Sequence, residues 1–156
     1  MSRMSGMLCF WVVFIASALF FATLANASFN EVNYTLCGGA VHQVRVDPCV
    51  ELPCPFKKGR SVNFEMDFYS PKNYSKVSVS IMGKIGNIQL SLPFNQKDGC
   101  TNSGLTCPLS AGNNHTVTRS VRVYRIYPKM KVLAIFEVTG DEEDVLACVQ
   151  VPIHIQ

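Results

Sequence analysis

The run Val44 to Gly59, VRVDPCVELPCPFKKG, constrains this chain more than any other. An alternating Val44-Arg45-Val46 stops at Asp47-Pro48, because proline has no N–H to give a strand ladder. Cys49 and Cys54 then bracket Val50, Glu51, Leu52 and Pro53, and a second alternating run begins after Lys57, Lys58 and Gly59. A local disulfide would hold the reversal closed. The pattern predicts a strand, a stapled turn and another strand, in a protein that matures in an oxidising compartment.

The start of the chain agrees with export. Arg3 is the sole charge before Glu31, Met7 to Leu24 is almost wholly apolar, and Ala25-Asn26-Ala27 places small residues at both positions of an A-x-A site. This reads as a secretory signal peptide over residues 1–27, cleaved to leave a domain over 28–156. A membrane anchor is the competing reading, since the apolar run approaches spanning length; the A-x-A site favours cleavage. Removing residues 1–27 from 156 leaves 129, enough for one core and one domain. Trp11 and Cys9 leave with the leader.

Six cysteines remain: Cys37, Cys49, Cys54, Cys100, Cys107 and Cys148. An even count in a small exported domain implies a disulfide framework, with fifteen connectivities open. Zinc is the rival, but C-x4-C and C-x6-C gaps are not the paired C-x2-C of a metal clip, so no metal is expected. Three sequons, at Asn33, Asn73 and Asn114, predict exposed N-glycosylation sites.

Short alternating runs separated by Gly, Pro and Asn clusters organise the rest. Val62, Phe64, Met66 and Phe68 share one face of a strand, and Asn63, Glu65 and Asp67 the other. Val77-Val79-Ile81, Ile88-Leu90-Leu92 before Pro93, Val121-Val123 and Val149-Val151-Ile153-Ile155 repeat the pattern. Met130 to Thr139 is apolar on both parities and predicts a central strand covered on both sides. About seven strands and no amphipathic helix predict an all-β class, an antiparallel sandwich.

Catalytic chemistry finds little purchase. His42, His115 and His154 lie in unrelated settings, and there is no G-x-S-x-G elbow, H-E-x-x-H pair or Gly-rich phosphate loop. Asp47, Glu51 and Asp98 beside cysteines read as turn caps. Net charge is +3, and the positives are scattered over Lys57, Lys58, Arg60, Arg119, Arg122, Arg125, Lys129 and Lys131, with no basic stripe for nucleic acid. Asp141-Glu142-Glu143-Asp144 reads as a solvated hairpin tip. No catalytic residue and no cofactor are expected.

Across essentially all of its mature length the chain resembles the ML-domain (MD-2-related lipid-recognition) family, most closely its soluble sterol-transfer members. The resemblance rests on Leu36-Cys37-Gly38, on VDPCVELPC followed by KKG, on DGCTNSGLTCPL from Asp98, on Tyr127-Pro128 before an apolar strand, and on ACVQVPIHI from Ala147. It implies an immunoglobulin-like β-sandwich of two antiparallel sheets with an apolar pocket between them. It also implies the pairings Cys37–Cys148, Cys49–Cys54 and Cys100–Cys107. Phe64, Met66, Leu90, Leu92, Val121, Val123, Tyr127 and Phe136 would then grip a sterol or related apolar lipid. Lys84, Ile85 and Arg122 would meet a membrane surface or a membrane sterol transporter. Phe136 and Val149 stand where tryptophan is familiar, and Arg122 where the family has a proline. The implied function is a monomeric secreted or lysosomal carrier that binds sterol and hands it on. The alternative is a recognition module presenting lipid to a receptor in innate immunity or chemosensation.

Overall fold

The alternating runs become two facing sheets. The computed structural model describes residues 29–92 and 97–156, so the predicted leader, residues 1–27, lies outside the described residues. In chain order the strands are β1 (Asn30–Glu31), β2 (Thr35–Gly39), β3 (Val41–Asp47), β4 (Cys54–Phe56), β5 (Ser61–Ser70), β6 (Ser78–Ile85), β7 (Ile88–Ser91), β8 (Asn113–Arg122), β9 (Met130–Thr139) and β10 (Val145–Ile155). One sheet runs β1-β3-β5-β8 and the other β2-β10-β9-β6-β7, with β4 beside β10. The ten strands among the described residues exceed the seven expected because β1, β2 and β4 carry no apolar alternation to read.

Inward side chains obey the period of two. Val62, Phe64, Met66 and Phe68 are all buried on β5, while Asn63, Glu65 and Asp67 face outward. There Arg45 lies between Glu65 and Asp67, donating from Nη1 to Asp67 at 2.8 Å, and Thr116 also donates to Asp67 at 2.7 Å. The strand β9 is central, between β10 and β6, and Ala134, Ile135 and Phe136 are buried in succession.

The stapled turn is more elaborate than strand–turn–strand. After β3 the chain passes through the Cys49–Cys54 disulfide, and β4 crosses to the opposite sheet to pair in parallel with Ile153–Ile155. Only then does it return as β5 beside β3. The pairing that holds β4 is with the far C-terminus, so no local pattern announces it. The other two links are Cys37–Cys148, which ties β2 to β10, and Cys100–Cys107. All three pairings are those the resemblance implies.

Three local readings are corrected. The acidic run does join β9 to β10 with Glu142 and Glu143 exposed, but it is also tied down: Asp141 accepts the backbone N–H groups of Ser75 and Lys76 at 2.7 and 3.0 Å, and Asp144 pairs with Lys72 at 2.5 Å. Of the three turn carboxylates, Asp98 does cap, accepting the Cys100 N–H at 2.8 Å and the Thr101 hydroxyl at 2.7 Å. Asp47 instead accepts from the Asn63 side chain at 3.5 Å. Arg119 is not a surface cation; it faces inward opposite Phe64 on β5 and is buried.

Candidate functional site

Antiparallel pairing sets a common direction to the sandwich. Val62 at the start of β5, Val121 at the end of β8, Met130 at the start of β9 and Ile155 at the end of β10 all arrive at one end. There the sheets part around a cavity of about 220 Å³. One wall is Val62, Phe64, Val121 and Val123, and the facing wall is Met130, Val132, Ala134, Phe136, Ile153 and Ile155. Phe56 of β4 closes one side, while Ile81, Met82, Gly83, Ile85, Leu90 and Leu92 close the other. Tyr127 and Pro128 stand at the β8–β9 connection.

The floor is a pair of rings. Phe64 and Phe136 come from opposite sheets and stack with centroids 3.8 Å apart and planes within 5°. Beyond them Met66, Phe68, Val44, Val138 and Val149 are fully buried and fill the interior. The same face of β5 therefore serves two purposes: Val62 and Phe64 line open space, and the next steps of two are packed core.

Of the residues expected to grip a ligand, Phe64, Leu90, Leu92, Val121, Val123, Tyr127 and Phe136 line the cavity. Met66 does not; it shares their face but lies one step past the stacked rings, where the sheets are closed. Of the residues expected at the contact surface, Ile85 and Arg122 line the mouth, and Lys84 points outward between the lining residues Gly83 and Ile85. Reading β-alternation alone missed Phe56, Pro128 and Met130, which come from a short crossing strand and a connection. Val62, Ile81, Ile153 and Ile155 carried the right period, but nothing in it gives the depth of a residue along the sandwich axis.

The mouth is greasy and cationic. Ile88 is 63 % exposed, Ile126 is 89 % exposed, and Leu90 and Tyr124 are also exposed. Lys57, Lys58, Arg60, Arg125, Lys129 and Lys131 each lie within two residues of a lining residue, as do Lys84 and Arg122. Backbone bonds set Lys58 and Arg60 beside Gln156 and Val123, and the Arg125 side chain lies against Gly59, so part of the charge scattered along the sequence is collected at this end. Burial, then the neighbouring Tyr124, pushes the Tyr127 hydroxyl above its ordinary pKa, so it stays a neutral phenol at the rim. The histidines do not converge: His42 is bonded to Asn114 at 3.0 Å, His115 faces the Ser110 carbonyl at 3.4 Å, and His154 is on the outer parity of β10.

With this geometry established, comparisons place the chain among known proteins. A family model described as ML domain matches residues 31–155. The chain is 29 % identical over 141 residues to NPC intracellular cholesterol transporter 2 of Bos taurus, covering 88 % of this chain and 94 % of that protein. It is 31 % identical over 131 residues to the mite group 2 allergen Tyr p 2 of Tyrophagus putrescentiae, covering 83 % and 91 %. Among solved structures, a Niemann-Pick type C2 protein from Japanese carpenter ant superposes with a TM-score of 0.71 at 17 % identity, covering 83 % of this chain and 99 % of that one.

Proposed function

Because this chain belongs to the ML-domain family, we propose that it is a carrier that takes a sterol or related apolar lipid between its sheets and passes it to a membrane or a membrane protein. The observation that carries the reading is the cavity: a nearly uniform apolar lining, closed below by Phe64 and Phe136 and opening at one end. Such a lining has nothing to do chemically to a substrate; it can only shelter one. Relatives named as cholesterol transporters support the choice of ligand class.

Energetics are consistent with transport. Shielding about 400 Å² of hydrocarbon at ~25 cal/mol per Å² gives on the order of 10 kcal/mol before association entropy is subtracted. That leaves an affinity of roughly micromolar order or weaker, enough to carry a lipid and weak enough to release it. The cavity is smaller than the ~300–1,000 Å³ that encloses a drug-sized ligand. A sterol therefore enters by spreading the walls, and the mobile-chemistry candidates for this are side chains at the mouth rather than the stacked rings. The lipid tail lies toward Phe64 and Phe136, and the polar head stays near Tyr127 and Arg122.

At the mouth, exposed Ile85, Ile88, Leu90 and Ile126 enter the interfacial region while the surrounding cations meet anionic headgroups. Residues 1–27 direct the chain into the secretory route, and it works as a monomer outside the cell or in the lysosomal lumen. The test is direct. Purified protein should bind the fluorescent sterol dehydroergosterol and move it between vesicles unaided. Val121→Phe fills the cavity without burying a polar group, and should weaken sterol binding at least about tenfold while leaving thermal stability unchanged. No sterol binding by the parent protein would overturn the carrier reading. Binding without unaided transfer would instead indicate a module that presents lipid to a receptor.

A further inference from the structure

We propose that the three sequon asparagines carry N-linked glycans, and that the fold confines them to surfaces away from the cavity mouth, so that sugar and lipid hand-off occupy separate parts of the sandwich. The second half rests on the carrier reading above. Asn33, Asn73 and Asn114 are all exposed, as are the sequon hydroxyl residues Thr35, Ser75 and Thr116. The asparagine side-chain oxygens of two are already engaged. Asn73 accepts the Ala111 N–H at 2.7 Å, and Asn114 lies 3.0 Å from the His42 ring nitrogen. Fixing the oxygen turns the amide nitrogen the other way, and among the described residues neither nitrogen donates a hydrogen bond. That nitrogen is the atom that is modified: it bonds to the anomeric carbon of a lipid-pyrophosphate-linked oligosaccharide, loses a proton and displaces the lipid pyrophosphate.

Position along the sandwich gives the segregation. Asn114 pairs with Tyr69 at the end of β5 remote from Val62, and Asn73 follows that end of β5 directly. Asn33 lies on the flank where the chain leaves one sheet for the other. The preceding Val32 N–H bonds the Val44 carbonyl, level with Met66 and so beyond the stacked phenylalanines from the mouth. The acidic turn is at this end too, with Asp141 bonded to Ser75 and Lys76 just after Asn73. A hydrated oligosaccharide at the rim would hold the cationic collar off a bilayer by more than the ~8–10 Å Debye length and remove its attraction. On the far end and flank it costs the contact nothing, and it keeps the molecule from meeting a membrane the wrong way round.

The experiment uses the full chain secreted from a eukaryotic host. Glycopeptide mapping gives occupancy at each asparagine. Dehydroergosterol transfer from phosphatidylcholine vesicles to vesicles with added phosphatidylserine is then measured before and after enzymatic removal of N-glycans. A sequon is also moved to the rim with the pair Tyr124→Asn and Ile126→Thr, against Tyr124→Gln and Ile126→Thr, which lacks the acceptor. A polyethylene glycol chain on Ile126→Cys gives the same readout should the new sequon stay empty. We expect occupancy at Asn73 and Asn114 as well as Asn33, transfer within about twofold after native glycans are removed, and transfer at least about tenfold slower with a rim glycan or polymer, sterol binding being unchanged. Empty native sites overturn the modification. Unchanged transfer with a bulky group at the rim, or a change beyond about twofold on removing native glycans, overturns the segregation. If the parent protein binds no dehydroergosterol the carrier reading fails alone, and the occupancy map still decides where the glycans are.

Discussion

Arg119 shows how far a single residue can depart from its expected setting. It occupies an inward position of β8, and its guanidinium donates to the carbonyls of Asn102 at 2.8 Å and Asp98 at 2.5 Å. Burial pushes its pKa down, partly offset by the charge of Asp98, while its Nε has no partner among the described residues. The contacts pin the Cys100–Cys107 loop along the free edge of β8, where the Thr118 N–H also bonds the Ser103 carbonyl at 2.7 Å. A covered edge cannot recruit another strand. Arg119→Met keeps the stem and strands the carbonyls, and should destabilise by about 2–4 kcal/mol in urea unfolding. Asp67 gives the corresponding pH test. Burial raises its pKa, but hydrogen bonds from Arg45 and Thr116 and the Arg45 charge outweigh this and leave the carboxyl below its ordinary range. A depressed folded pKa contributes stability that is present above the unfolded value and is lost as pH falls through the folded one. The contribution should therefore persist at mildly acidic pH and fade below about pH 4. Asp67→Asn should cost about 1 kcal/mol at neutral pH and flatten the fall in unfolding midpoint between about pH 5 and 3.

At the scale of elements, the ends of the chain are locked together. The last strand, β10, bonds β9, β2 and β4, and Cys37–Cys148 adds a covalent link across 111 residues of sequence. Chain-entropy reasoning gives a loop of this size about 4–5 kcal/mol. Replacing both cysteines by alanine should lower stability by that order, measured by denaturant unfolding, while loss of the Cys100–Cys107 link, spanning 7 residues, should cost less. Where β2 ends, Gly39 has φ of +69°, and a Cβ there would run into the Leu146 carbonyl of β10. Both the conformation and the close approach require glycine at that point. The alternation that defined β5, β6 and β10 was legible because each buries one face over several steps of two, and β9 was legible because it is apolar on both parities. The strands β1, β2 and β4 were not, since none of them alternates and β4 exists by its long-range pairing with β10.

The whole molecule has an axis. The cavity opens at one end beside Arg122, and the acidic turn Asp141–Asp144 is at the other, where β9 and β10 are joined. An excess of positive charge at the mouth would turn that end toward an anionic surface. Lys84→Glu with Lys129→Glu should slow sterol transfer to anionic vesicles at least about tenfold and leave binding intact, and raised salt should slow the parent protein in the same way. Unchanged transfer would dismiss the orientation.

By itself the sequence determined the class of fold, because period-two alternation leaves each strand one face to bury and two such layers satisfy one another. It also carried the cysteine framework and, through resemblance, its pairing. Tertiary structure alone decided where that shared apolar face is packed and where it stands open. Val62 and Met66 read identically along β5, yet the stack of Phe64 on Phe136 puts them on opposite sides of the cavity floor. It likewise decided that Arg60 and Arg125, far apart in sequence, come to the same rim and that Arg119 turns to the interior. Depth and proximity arise from the distance between sheets, and no local pattern in a chain encodes that distance.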